Sequence, residues 1–123
     1  MNSAKLIVMY PTPTDLKTFE RRYADEHVPM AVEKLAGKTR FVASLILSNV
    51  DKSAAQFHRI AEVYFPSLTE LMACLNSPGG QETAQHAVEI SSGGEPLFLI
   101  SEVEPLISKP TIGFNIFTEA ANQ

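Results

Sequence analysis

The apolar and polar positions of this chain recur with periods that divide it into short strands and helices. Residues 5–10, KLIVMY, form an apolar, β-branched run closed by Pro11, as a buried strand does. TPTD at 12–15 fits the start of a helix. Thr12 can cap it, Pro13 suits the first helical position, and Asp15 completes a capping box. The helix is predicted over 13–27, with Leu16, Phe19, Tyr23 and His27 on one stripe. Pro29 is expected to stop it, because the residue before a proline avoids the helical region.

Residues 41–47, FVASLIL, read as a second strand, and 49–56 as a polar turn. HRIAEVYF at 58–65 alternates: Arg59, Ala61, Val63 and Phe65 share one face, and His58, Ile60, Glu62 and Tyr64 the other. Pro66 and Ser67 open a helix whose apolar face is Leu68, Leu71, Met72 and Leu75. NSPGG at 76–80 reads as a break, 81–90 as a short helix, 91–96 as a loop, 97–103 as the fourth strand, and 111–117 as a fifth. The order is β-α-β-β-α-β plus a C-terminal strand, the ferredoxin-like α+β pattern, in a single domain over 1–123. Such a sheet carries its helices on one face. The other face, mixing Ile60 and Tyr64 with Glu62 and His58, suits a pocket or a subunit interface.

Composition narrows the function classes. The net charge is −4 and the ten basic residues are scattered, which argues against nucleic-acid binding. LIVMY at 6–10 is too short for a signal-peptide core or a membrane span, and the lone Cys74 forms no internal disulfide, so a cytoplasmic setting is expected. The three histidines show no metal-ligand spacing, and the SSGGEP loop lacks the spacing of a phosphate cradle. Neither a metal nor an organic cofactor is expected.

His27 is the main candidate for chemistry. An imidazole titrates near neutrality and can give or take a proton without large tuning. At the end of a helix, the same residue can instead cap free carbonyls. Glu62, on a central strand, needs a partner. It could orient His27 as the acidic member of a dyad, or form a salt bridge to Arg59, Arg40 or a second subunit. Tyr64 and Tyr10 could hold a substrate oxygen or fill a core. His58, beside a polar turn, reads as exposed, and His86 as solvent-facing. Cys74, off the apolar stripe and without a nearby basic group, reads as an inert thiol.

The frame D-x-x-x-F-x-x-x-Y-x-x-x-H-x-P within YPTPTDLKTFERRYADEHVPMA at 10–31 resembles the EthD family. So do RIAEVYFPSLTEL at 59–71 and the break and short helix at 76–94. The resemblance covers about 5–104 and leaves 105–123 as an extension. It implies a dimeric α+β barrel in which two sheets pack face to face and each subunit encloses a small apolar pocket. Relatives in that superfamily include cofactor-independent monooxygenases, cyclases, dehydratases and lactone isomerases. They act mostly on aromatic or polyketide-like compounds, in secondary metabolism or xenobiotic degradation. Two departures stand out. A histidine stands in QFHRI, where dehydratases and cyclases often carry an acid, and Val63 lies in the strand where lactone isomerases place a cysteine.

The expectation is a homodimer joined through the open sheet face and the C-terminal strand. It would act on a small apolar oxygenated ligand by isomerisation, cyclisation or dehydration, with catalytic His27 and Glu62 and with Tyr64, Tyr10 and His58 near the substrate. Two other readings remain: a non-catalytic accessory protein that binds a small molecule, and a structural dimer packed solid. A cavity below about 100 Å³, well under the ~300 Å³ usual for ligand sites, would favour the last.

Overall fold

The computed structural model describes residues 2–105. Strands β1 (Ser3–Pro11), β2 (Arg40–Leu45), β3 (Phe57–Phe65) and β4 (Leu97–Val103) form one antiparallel sheet in the order β2-β3-β1-β4. A helical rod joins β1 to β2. It consists of α1 (Leu16–Arg22), a π-helical turn (Tyr23–His27) and α2 (Val28–Lys34). A helix pair, α3 (Leu68–Leu75) and α4 (Pro78–Ile90), joins β3 to β4. The expected ferredoxin-like α+β fold is present. The predicted strand at 111–117 and its pairing with a second subunit fall outside the described residues.

Alternation along the two central strands builds the core. On β1, Ala4, Leu6, Val8 and Tyr10 are buried beneath the helices; on β3, so are Ala61, Val63 and Phe65. The intervening residues of β1 and β3 are only partly covered. The predicted alternation of β3 fails at its start. Tyr10 pairs with Arg59 but Pro11 with Phe57, so His58 is the extra residue of a β-bulge. The bulge turns His58 away from the face of Glu62 and Tyr64. Its ring packs edge-on against Phe19 of α1, at 5.6 Å.

Four helical expectations change. Asp15, not Thr12, caps the first helix, its carboxylate accepting from the Thr18 N–H at 3.1 Å, and the helix begins at Leu16. Leu16 is exposed, so the buried stripe is Phe19, Tyr23 and His27. Pro29 does not end the helix. The Val28 N–H reaches back to the Tyr23 carbonyl, five residues away, which widens the backbone and shifts the hydrogen-bond frame by one residue. Pro29 then sits in the first turn of α2, where a missing N–H is tolerated. On α3 the buried face is Leu71 and Cys74, while Leu68 and Met72 are exposed, which rotates the helix away from the predicted stripe.

The predicted break at 76–80 is also shorter than expected. Ser77 caps α4, accepting from the Gly80 N–H at 3.0 Å, and Pro78 takes the first helical position. The two glycines lie inside the first turn because backbone crowds them. A Cβ at Gly80 would run into the Cys74 carbonyl, and one at Gly79 would press on the Lys34 carbonyl. Gly80→Ala is therefore expected to lower stability by about 1–3 kcal/mol through overpacking, read as a reduced denaturant midpoint with an unchanged slope.

Candidate functional site

Three elements bring polar side chains together under the sheet. β1 supplies Tyr10, fully buried; the π turn supplies His27, 5% exposed; α4 supplies His86. The Tyr10 hydroxyl lies 3.1 Å from His27 Nε2. His27 Nδ1 lies 2.9 Å from His86 Nδ1, with the two ring planes parallel within 6°. His86 Nε2 lies 3.2 Å from Glu26 Oε1. Glu26 in turn accepts from Arg22 Nε at 3.0 Å, and Arg22 also reaches Glu89 at 2.8 Å. The result is an unbroken hydrogen-bonded chain from the core to the surface.

Aromatic packing holds this chain in place. Phe19 and Tyr23 stack at 5.6 Å, and Tyr23 stacks on His27 at 5.9 Å, while Tyr10 meets all three edge-on. Arg59 covers the Tyr23 ring at 5.3 Å and is itself held by Glu20, at 2.6 Å. His58 bonds the same Glu20 at 3.1 Å and is partly buried, where an exposed side chain was expected.

Burial sets the protonation of the site. It lowers the His27 pKa to about 4, with His86 adding a smaller push, so the imidazole is neutral at pH 7. Burial also raises the Tyr10 hydroxyl well above its ordinary value and pushes Tyr23 up to about 12. The hydrogen bond from Arg22, then that from His86, holds Glu26 below the usual carboxylate range.

Tyr10 and His27 also line a cavity of about 30 Å³ between sheet and helices. The rest of its wall is mainly apolar, including Val8, Ala31, Leu35 and Phe98. The cavity has room for one or two waters and is far smaller than a usual ligand site.

The remaining predicted site residues divide differently from expectation. Glu62 and Tyr64 point to the opposite face of the sheet, so the expected Glu62–His27 dyad does not form. Glu62 instead pairs with Lys5 at 2.7 Å. The Tyr64 ring lies under Lys5 at 5.3 Å and Arg40 at 5.6 Å. The reason is the strand period: Glu62 alternates with Ala61 and Val63, which already face the helices. His86, read from the sequence as solvent-facing, is instead a central member of the chain, and Glu26 joins it. A signal for His86 was present in the buried spacing of Thr83, Ala87 and Ile90, which brackets it on the covered side of α4. His27 makes no side-chain cap and sits in mid-rod, so helix capping does not explain it. Cys74 is buried, which raises its thiol pKa. Among the described residues, no group of three or more His, Cys, Asp or Glu is arranged to hold a metal ion, and no helix is long and apolar enough to cross a membrane.

The neutral His27 makes stability depend on pH. In the unfolded chain the imidazole titrates near 6.5, in the folded chain near 4. Between these values the unfolded state binds the extra proton, so this contribution is complete above about pH 6.5 and is lost as pH falls towards 4. Its ceiling is on the order of 3 kcal/mol. Glu20 and Glu26, with pKa values below their ordinary 4.5, add losses only at lower pH. Thermal unfolding between pH 7 and 5 is expected to show a larger fall in Tm for the natural chain than for His27→Gln. Equal slopes would mean that folding leaves the His27 pKa unchanged.

Residues 11–89 match the EthD domain. An uncharacterized 11.0 kDa protein in the thcB-thcC intergenic region of Rhodococcus erythropolis is 28% identical over 98 residues, covering 80% of this chain and 93% of its own. An EthD family protein from Bacillus halodurans superposes with a TM-score of 0.76 at 20% identity, covering 83% of this chain and 99% of its own. The hydroxynitrile lyase from Passiflora edulis superposes with a TM-score of 0.65 at 16% identity, covering 86% and 97%. SnoaB, a cofactor-independent oxygenase from Streptomyces nogalater, gives 0.57 at 13% identity, covering 89% and 100%. At these identities the solved structures testify to the fold alone. The matched residues take in β2, β3 and the helices up to the last residue of α4, well over half of the chain, and the chain belongs to the EthD family.

Proposed function

We propose that this chain is an enzyme that moves a proton on a small apolar oxygenated compound, using Tyr10 and His27 and no cofactor. The observation that carries this reading is the buried Tyr10–His27 hydrogen bond, 3.1 Å long, on the wall of an apolar cavity. A neutral His27 favours the role of base over that of acid. Tyr10 is the group that meets the substrate oxygen or its acidic C–H, and His27 takes up the proton that Tyr10 passes on. Enolisation, and the isomerisations, cyclisations or dehydrations that follow from it, need no more than this. The apolar lining and the family kinship favour aromatic or polyketide-like substrates. SnoaB, a cofactor-independent oxygenase of the same fold, supports catalysis without a cofactor. A compound larger than one or two waters enters by displacing Phe98, the half-exposed cavity residue on edge strand β4.

Glu62, Tyr64 and the open face have a different part in this proposal. Ile7, Met9 and Ile60 lie with Val42, Leu97 and Leu99 on the side of the sheet away from the helices. Water is a poor cover for such a surface, and a second copy packed sheet to sheet covers it. The homodimer then encloses the Lys5–Glu62 pair and Tyr64 at its interface, as a polar clamp that fixes register rather than as catalytic groups.

The small volume favours a second reading, in which the domain is packed solid and structural. The two readings separate on exchange of enolisable protons. Small cyclic and aryl ketones incubated with the chain in D₂O are expected to exchange α-protons, followed by ¹H NMR. His27→Ala and Tyr10→Phe should each slow this by about 10²–10⁴-fold. Equal rates for the natural chain and His27→Ala would end the acid–base reading. If, in addition, none of the ketones raised the melting temperature, the packed domain would be favoured over a non-catalytic binding role. For the dimer, Ile60→Asp is expected to give a folded monomer in sedimentation, while the natural chain sediments as a dimer. A monomeric natural chain would refute the sheet-to-sheet packing.

A further inference from the structure

The hydrogen-bonded chain continues past His27 in a way that proton abstraction at the cavity does not itself require. His86 lies between two compartments. At its inner end, its Nδ1 meets His27, which lines the apolar cavity. At its outer end, His86 lines a surface hollow with Met30, Gln85 and Glu89, and its Nε2 meets Glu26. His27 is buried and His86 partly buried, the two rings are parallel, and each ring nitrogen of each has a partner.

The order of donors follows from the outer end inward. An ionised carboxylate only accepts, so His86 Nε2–H donates to Glu26. A neutral His86 then has a bare Nδ1, which can only accept, so His27 Nδ1–H donates to it. That leaves His27 Nε2 bare, and the Tyr10 hydroxyl donates to it. Glu26 stays ionised because Arg22 is hydrogen-bonded to it and Arg21 is 3.5 Å away. The other charged and titratable groups around the chain are Tyr23, one turn before His27, Glu89, 3.9 Å from His86 Nε2, and Glu82, which lines the outer hollow and pairs with Lys34 at 2.7 Å.

We propose that His86 and Glu26 are positioning residues that lock His27 in its Nδ1–H tautomer and relay its proton to the surface. This rests on the acid–base reading for its use in catalysis but not for its geometry. The steps balance in protons. Tyr10 gains a proton from the substrate and gives its own to His27 Nε2. His27 passes its Nδ1 proton to His86 Nδ1, and His86 passes its Nε2 proton to water in the outer hollow. One proton enters and one leaves, and each ring ends in its other tautomer. Return of a proton along the same path to the product restores the start.

The test reads tautomers and needs no substrate. Two-bond ¹H–¹⁵N correlation spectra of the full ¹⁵N-labelled chain at pH 8, above the ordinary imidazole range, distinguish protonated from bare ring nitrogens. In the natural chain, His27 is expected to carry its proton on Nδ1 and His86 on Nε2. His86→Phe keeps a ring of similar shape but removes the acceptor, and His27 should shift to the Nε2–H form or a mixture. Glu26→Leu, at a partly exposed position, should release the preference of His86. An Nε2–H His27 in the natural chain overturns the proposal without any variant. So does an Nδ1–H His27 that keeps its tautomer in both folded variants. The ketone-exchange assay separates the two failures. Exchange that needs His27 but ignores His86→Phe removes the relay and leaves the acid–base reading. Tautomers that respond as expected with no exchange in the natural chain leave the lock and remove the catalysis.

Discussion

One extra residue in a helical turn organises this molecule. Had the first helix stayed α-helical through Pro29, the ring would have met the preceding turn and the rod would have ended near His27. In an α-helix, residues eight apart also drift by about 80° around the axis. The π turn at Tyr23–His27 counters both. It opens the backbone where the proline ring needs space, and it keeps Phe19, Tyr23 and His27 in one stacked column against Tyr10. The helix continues as α2, which supplies Ala31 to the cavity wall and ends at Leu35, another wall residue. Local hydrogen-bond geometry thus decides where the imidazole sits.

That placement has electrostatic consequences. An imidazole at a helix end would be solvated, charged at mildly acidic pH and unremarkable. In mid-rod, under the sheet, it loses its water and becomes a neutral acceptor and donor with one partner on each nitrogen. The buried polar atoms that make this possible come from three separate elements. Each of them satisfies the others, which is how a polar chain survives in an apolar core. Glu26 and its arginines then anchor the outer end with charge where water can reach it.

The strand β3 shows how a period of two separates tasks. Ala61 and Val63 face the helices and line the cavity, while Glu62 and Tyr64 face away. The bulge at His58 is the one place where the alternation slips, and it turns that histidine onto Phe19 and Glu20. A carboxylate one residue from the cavity wall is therefore as far from its chemistry as the sheet allows.

Much of the fold was legible along the chain. Short apolar runs located β1, β2 and β4, alternation located β3 and its covered face, and the spacing of Phe19, Tyr23 and His27 gave the imidazole its inward direction. These are local properties, carried by side-chain order within one element. The partner of His27 was not local. Glu62 looked suitable by residue type, yet the sheet lies between them, and His86 looked exposed because its helix was read without its neighbours. Pro29 read as a stop because proline usually is one, and only the packed rod showed the turn that accommodates it. Residue order chose the elements and their faces. The tertiary structure chose the neighbours, because burial, tautomer and charge at this site arise from three elements meeting in space.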